Sequence, residues 1–221
     1  MKNVIVWLLI IILTIPHVVF AKSDDDTITR AEFSKIVCEL YMTAEHTETL
    51  PPPPAGYLAN FFDDIPDEHW ACKYIDVLLQ LGIVSGYGDN KFRPDNEILI
   101  EEAIAMLMRI TWWSKMAYDR ERSTSIYPYG YVAVAEESGL TKDIDFTIGE
   151  YATREVLSQL ANNALGIFLV EQVSTPRPEI LDPHTFVIMD GTNGTQQKTL
   201  RTERWGKFVY FKDWEWIIED E

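Results

Sequence analysis

The sequence predicts a mainly α fold, assembled from a repeated helical unit and followed by a small β-rich tail. Three observations lead there. One apolar helical register recurs at three places, and a glycine stop ends the helix that precedes two of them. Beyond residue 174 the apolar residues abandon helical spacing for short β-branched and aromatic runs.

The 221 residues fit one domain, or one domain with a small appendage. Apolar residues make up 47%, enough for a real core, and the net charge is −16. That acidity argues against a nucleic-acid partner, because phosphate binding needs clustered Lys and Arg. The N-terminus begins with Lys2, continues as an apolar run from Val4, and ends on Val19 and Ala21 at the −3 and −1 positions of a cleavage site. This is the pattern of a secretory signal peptide over residues 1–21, and Pro16 and His17 favour it over an uncleaved anchor. Either way, the rest of the chain is expected outside the cytoplasm. Export permits a disulfide, but two cysteines make no scaffold. Cys38 and Cys72 are expected to be separate thiols, with a bridge as the alternative.

The first copy of the repeat, residues 22–50, keeps only its last helix. Phe33, Ile36, Val37, Leu40 and Tyr41 follow the i, i+3, i+4, i+7, i+8 spacing of an amphipathic helix. Residues 51–60 form a Pro-rich linker, since Pro51 to Pro54 cannot continue a helix and should be an extended spacer. The second copy, 61–114, is whole. A first helix around Trp70, Tyr74, Ile75 and Leu78 stops at Gly82, and a second carries Ala103, Met106, Leu107 and Ile110. "RERSTSIYPYG" (120–130) reads as a polar link into the third copy, 115–173. There Tyr131, Val132 and Ala135 precede a stop at Gly139, and Leu157, Leu160, Ala161, Ala164 and Leu165 repeat the register. Residues 174–221 form the β-rich region. Thr185–Met189, Lys207–Phe211 and Trp214–Ile218 are its strand-like runs, and "DGTNG" (190–194) is a turn signal. Asn193-Gly194-Thr195 matches a glycosylation sequon but is better read as part of that turn.

The second copy opens with Phe62-Asp63-Asp64-Ile65-Pro66 and His69-Trp70-Ala71. Its centre reads Gly82-Ile83-Val84-Ser85-Gly86-Tyr87-Gly88-Asp89-Asn90-Lys91-Phe92-Arg93-Pro94-Asp95. The first copy closes with Ile28-Thr29-Arg30-Ala31-Glu32-Phe33. These stretches resemble the S-layer homology motif, with its F-x-D-V-P opening, G-I-V-x-G-Y centre and I-T-R-A-E-F close. The resemblance covers about residues 29–165. It implies a module of three motifs around a pseudo-threefold axis. It also implies binding to the secondary polysaccharide attached to peptidoglycan, often through a pyruvylated amino sugar held in grooves between motifs. The Arg of the closing motif supplies the key contact in that family, which points to Arg30 and, in the third copy, to Arg154. The family's groove glycines point to Gly86 and Gly88, with Lys91 beside them.

Each candidate also has an ordinary structural reading. Thr29 with Glu32 is a capping box and Ile28 with Phe33 a hydrophobic staple, contributing about 1 kcal/mol without any ligand. Capping does not explain Arg30, since a cation in a first turn is mildly unfavourable by the dipole. An Arg at that end would add its charge to free backbone N–H groups, and its planar fork suits a carboxylate. Ile100 replaces the Arg in the second copy, so the groove that relies on it should be weak or silent. Trp70 could stack on a sugar face, or fill the core as a Trp on an apolar stripe usually does. His69 reads as a local hydrogen-bonding residue. The 86–90 turn lacks the spaced carboxylates of a calcium loop, so no metal and no cofactor are expected. Trp205, Trp214 and Trp216 could form an aromatic platform, or the core of the β region.

No nucleophile motif, metalloprotease motif or phosphate loop is present in the sequence. The expectation is therefore a non-enzymatic binding protein of the cell wall. The alternative is a degenerate structural or assembly protein that docks a protein partner through its C-terminal aromatic region.

Overall fold

The computed structural model describes residues 27–123, 126–167, 169–172, 186–188, 199–200, 208–212 and 215–219. The signal-peptide segment and the 190–194 turn lie outside the described residues, as do Trp205 and Trp214. Among the described residues no helix is long and apolar enough to cross a membrane.

The described chain is mainly helical. Helix α1 spans Arg30–Met42 and the short α2 spans Ala44–Glu48. A 3₁₀ turn at Leu58–Asn60 leads to α3 (Cys72–Gln80) and α4 (Ile100–Ile110). Then come α5 (Ser114–Ser123), α6 (Tyr129–Ser138) and α7 (Arg154–Gly166). Two antiparallel pairs follow: β1 (Val170–Gln172) with β2 (Phe186–Ile188), and β3 (Phe208–Lys212) with β4 (Glu215–Glu219).

The recurring register is what faces inward. Phe33, Val37 and Leu40 on α1 are fully buried. So are Ala103 and Leu107 on α4, and Leu160, Ala161 and Leu165 on α7. Each such side chain larger than Ala contributes about 1.5–3 kcal/mol relative to exposure. These three helices pack on one another in the centre. An outer element then lies against each: α3 on α1, α6 on α4, and β3 along α7.

Short extended segments lead into the central helices and bridge in a ring. Thr27 pairs with Thr153, Thr29 with Glu97, and Leu99 with Tyr151. Backbone hydrogen bonds reinforce it, from Ile98 N to Ile28 O (3.1 Å) and from Ala152 N to Ile98 O (2.9 Å). The ring fixes where the three helix N-termini point.

The glycine stops work as a left-handed C-terminal turn requires. Gly82 has φ +69° and Gly139 φ +86°. After α3, Ile83 N reaches back to Leu78 O (2.8 Å) and Gly82 N to Leu79 O (3.0 Å). After α6, Leu140 N reaches Ala135 O (2.9 Å) and Gly139 N reaches Glu136 O (3.2 Å). The same double closure satisfies the last carbonyls of both helices.

Three sequence expectations need correction. The 51–60 linker is more than a spacer, because Leu58 is buried in the core and Gly56 N is held by the Asp67 carboxylate (2.8 and 2.9 Å). The 120–130 link is helical over its first four residues, because α5 runs to Ser123 and packs on α6. Trp70 is not core: it is 51% exposed, just ahead of α3, stacked on His69 (5.8 Å) and edge-on to Tyr74 (6.2 Å). The helix starts at Cys72, so Trp70 is not on the stripe that its spacing suggested.

Candidate functional site

The start of α1 is assembled as a capped helix. Thr29 Oγ1 accepts from Glu32 N (3.2 Å), and Glu32 Oε2 accepts from Thr29 N (2.7 Å). Ile28 and Phe33, the expected staple, are both buried. The next two donors go to the loop before α4: Arg30 N to Asn96 O (2.8 Å) and Ala31 N to Pro94 O (2.9 Å). The free N–H groups expected here for an anion are thus already satisfied within the protein.

Arg30 itself is 7% exposed. One terminal nitrogen lies 3.2 Å from Glu102 Oε2 and donates to the Tyr87 hydroxyl (3.4 Å). The other donates to Ser85 O (2.8 Å). The guanidinium sits 4.9 Å from the Tyr87 ring centre and 4.7 Å from that of Phe92. Only Nε, among buried side-chain polar atoms of the described residues, has no hydrogen-bond partner. The question that capping left open has an internal answer: Arg30 neutralises Glu102.

Glu102 stands in the first turn of α4. It occupies the same helical position in α4 that Glu32 occupies in α1. Leu99 has no side-chain oxygen to complete a box, and Glu102 Oε2 accepts only weakly from Leu99 N (3.4 Å). The carboxylate instead faces Arg30 and accepts from the Tyr87 hydroxyl. Tyr87 is also stacked under Arg93 (4.2 Å to the ring centre). Burial first, then the hydrogen bond to Glu102, push its phenol up to about 12, and the lowering by Arg30 does not offset them.

These groups form one wall of a groove of about 270 Å³. From Glu102 the lining continues along α4 as a stripe with Ala105, Met106 and Arg109, spaced i, i+3, i+4, i+7. Tyr127, ahead of α6, also lines it, with its phenol held above the ordinary range by burial and by the Glu102 and Glu101 carboxylates. Arg109 donates to Ile83 O (2.9 Å) and lies over Tyr131 (5.2 Å).

The loop wall is fixed from outside. Asp64, from the opening of the second copy, accepts from Phe92 N (2.8 Å) and Arg93 N (2.7 Å). Gly86 is required by space, since a Cβ there would lie 2.8 Å from Lys91 O and 2.9 Å from Phe62 Cε1.

Of the residues singled out in the sequence, Arg30 and Gly86 come together in this groove. Gly88 and Lys91 belong to the same turn, where Lys91 O accepts from Tyr87 N (3.0 Å), but do not line the groove. Trp70 and Arg154 do not line it either. Arg154 is half-buried at the start of α7, where Thr153 Oγ1 accepts from Val156 N (3.3 Å) without a reciprocal Glu. Tyr87 and Glu102 stood in the motifs without being marked as site residues, and Arg109 and Tyr127 lie outside them. The α4 stripe is a second helical spacing, masked in the sequence by the apolar one that shares Met106 with it.

Other groups have local roles. His69 Nδ1 accepts from Ala71 N (3.2 Å), and its Nε2 lies 3.6 Å from Asp95 Oδ1. Cys38 and Cys72 are free and buried, and burial pushes the Cys38 thiol up to about 12. No group of His, Cys, Asp and Glu among the described residues could hold a metal ion.

Residues 61–104 match the family model of the S-layer homology domain. The chain is 29% identical over 112 residues to the "Cell surface protein" of Thermoanaerobacter kivui, which is 51% of this chain and 14% of that protein. It is 26% identical over 149 residues to the "Middle cell wall protein" of Brevibacillus brevis, 67% of this chain and 13% of that one. It is 36% identical over 86 residues to the "Cellulosome-anchoring protein" of Acetivibrio thermocellus, 38% of this chain and 18% of that one. The chain thus spans less than a fifth of the length of each of these relatives.

Proposed function

We propose that this chain, whose residues 61–104 are an S-layer homology domain, is an exported, non-enzymatic protein that binds the secondary polysaccharide of a bacterial cell wall. The observation that carries the reading is the groove between the start of α1 and the α4 stripe. It offers guanidinium donors and phenolic hydroxyls above an apolar patch of Ala105 and Met106, a surface suited to a sugar with an acidic substituent. A pyruvylated amino sugar on peptidoglycan-attached polymer is the ligand this favours. The relatives named for the cell surface, the cell wall and anchoring support the same location.

The architecture belongs to the proposal too. The bridge ring and the three packed central helices support a pseudo-threefold module made of 22–50, 61–114 and 115–173. β3 lies along α7 as α3 lies on α1 and α6 on α4, so this strand takes the outer position that the first copy does not fill. Arg30 and Gly86 are contacts in the first groove. Arg154, Trp70, Gly88 and Lys91 are contacts elsewhere on the module.

Sedimentation of the full chain with purified peptidoglycan, with and without its attached polymer, tests the reading. Co-sedimentation with the polymer-bearing material alone is expected. Equal sedimentation with both, or with neither, overturns it. A second reading has one observation in its favour: Arg30 is already paired with Glu102. On that reading the repeats are degenerate and the C-terminal aromatic region docks a protein. Failure to sediment with either material favours it.

A further inference from the structure

We infer that Arg109, and not Arg30, is the residue that takes the anionic group of the groove's ligand, a sugar carrying one carboxylate. The inference rests on the wall-polysaccharide reading for its choice of sugar, and on the groove's own charges for the rest. Two guanidiniums line the groove. Arg30 is 7% exposed, gripped between two rings, and its charge is cancelled by Glu102 at 3.2 Å. An incoming carboxylate would have to displace Glu102 and leave that carboxylate facing a half-buried phenol. Arg109 is half-buried and forms no ion pair among the described residues, and its hydrogen bond to Ile83 O uses one donor of five. Arg30 and Glu102 sum to zero, so Arg109 leaves the lining with a single net positive charge. That charge matches one carboxylate, which the planar fork of Arg109 can take through two parallel N–H donors.

The placement along α4 sets the polarity of the ligand. Glu102 and Arg109 stand seven residues apart on one stripe, roughly 10 Å along the axis. A ligand lying in the groove meets its charge partner at the Arg109 end, beside Tyr127 and Tyr131. At the other end it meets the Glu102–Tyr87 pair, which can only exchange hydrogen bonds with hydroxyl or amide groups. Arg109 also suits the negative end of a helix dipole. That structural role explains a cation in the last turn, but not why the fork is left without a carboxylate beside a polar groove.

The test titrates the full chain with methyl glucopyranosiduronate and with neutral methyl glucopyranoside, following the Tyr127 and Tyr131 ring signals by NMR. The wall sedimentation assay is run in parallel on the same variants. The uronate is expected to shift both signals and the neutral sugar not. Arg109→Gln should weaken uronate binding at least about tenfold, the loss of a charge-assisted contact. Arg109→Lys keeps the charge at the helix end should the first variant misfold, and should bind severalfold more weakly than the wild type. Unchanged uronate affinity in Arg109→Lys or in a folded Arg109→Gln, equal response to the neutral sugar, or no response to either sugar overturns the assignment. If the uronate response depends on Arg109 while no wall material is bound, Arg109 stands and the wall reading falls. If walls are bound equally by wild type and Arg109→Gln, the wall reading stands and Arg109 falls.

Discussion

The starts of α1 and α4 follow the same backbone path and do different things with it. Both are entered through a bridge of the ring, and both carry Glu three residues after the cap. At α1, Thr29 and Glu32 satisfy each other, so the end is closed locally and Arg30 is left to look outward across the repeat boundary. At α4, Leu99 offers no acceptor and Ile100 sinks into the core at 2% exposed. Glu102 keeps only a long bond to Leu99 N (3.4 Å) and with the same oxygen meets Arg30 (3.2 Å). Glu101 turns the other way and accepts from Gly149 N (3.0 Å) in the next repeat. A decayed motif in one copy has thus become the electrostatic partner of an intact motif in another. The counter-charge is the acid that both helix starts share, used at α1 for capping and at α4 to meet Arg30.

The largest expected effect tests that pairing. Arg30→Met should cost about 3 kcal/mol, because it leaves the Glu102 carboxylate in a poorly hydrated site without its cation. Urea denaturation reads it directly, and adding Glu102→Gln should return most of the loss. Ile100→Val, at the matching position of α4, should cost only about 1 kcal/mol. If Arg30→Met proves the milder of the two, the contrast between the helix starts is broken.

Next in size is the loop wall. Gly86→Ala forces a methyl against the Lys91 carbonyl and the Phe62 ring, at about 1–3 kcal/mol. Gly88→Ala meets open space but must hold φ +83°, at about 1 kcal/mol. Thermal unfolding of the pair should rank Gly86 as the more sensitive, and the reverse order would mean that the turn, not the packing, governs this wall.

Capping comes third. Thr29→Ala and Thr153→Ala each remove one side-chain cap, for about 1 kcal/mol. The Thr29 loss should not exceed that of Thr153, because the Glu32 carboxylate keeps its bond to the backbone N of residue 29, a support that Val156 cannot give. A clearly larger loss at Thr29 would show that the reciprocal bond depends on the hydroxyl beside it.

The smallest effect is alkaline. The Tyr87 phenol sits above its ordinary value of 10.0, at about 12 in the folded chain. The folded state therefore holds this proton more tightly than the unfolded state does. Its contribution is complete below pH 10 and is lost as pH rises toward about 12. Tyr87→Phe should flatten the fall of melting temperature across that window, and an unchanged slope would remove Tyr87 from the account.

Much of the fold was legible because it is written at short range. The register of Phe33, Val37 and Leu40, repeated at Ala103 and Leu107 and at Leu160 and Leu165, fixes three helices and their buried faces by periodicity alone. Gly82 and Gly139 announce their stops because few other residues tolerate positive φ. Thr29 with Glu32 announces a helix start because both partners lie within one turn. The groove was only half legible. Arg30 and Gly86 were marked by the motif, but Glu102, Arg109 and Tyr127 lie 72 to 97 residues from Arg30 in the chain. Trp70 misled because its helix begins two residues later than its spacing suggests.

The sequence by itself determined the recurring helical register, the helix ends, the capping of Arg30's own helix and the acidic character of the chain. Only the tertiary structure decided what Arg30 faces, which guanidinium is left uncompensated, and that β3 lies where a helix would be sought. The division has a physical cause. Periodicity, capping and glycine turns are interactions within a few residues, whose partners can be read side by side. Charge pairing and burial depend on distance in space, and that is set by the bridge ring and the packing of three helices from different parts of the chain.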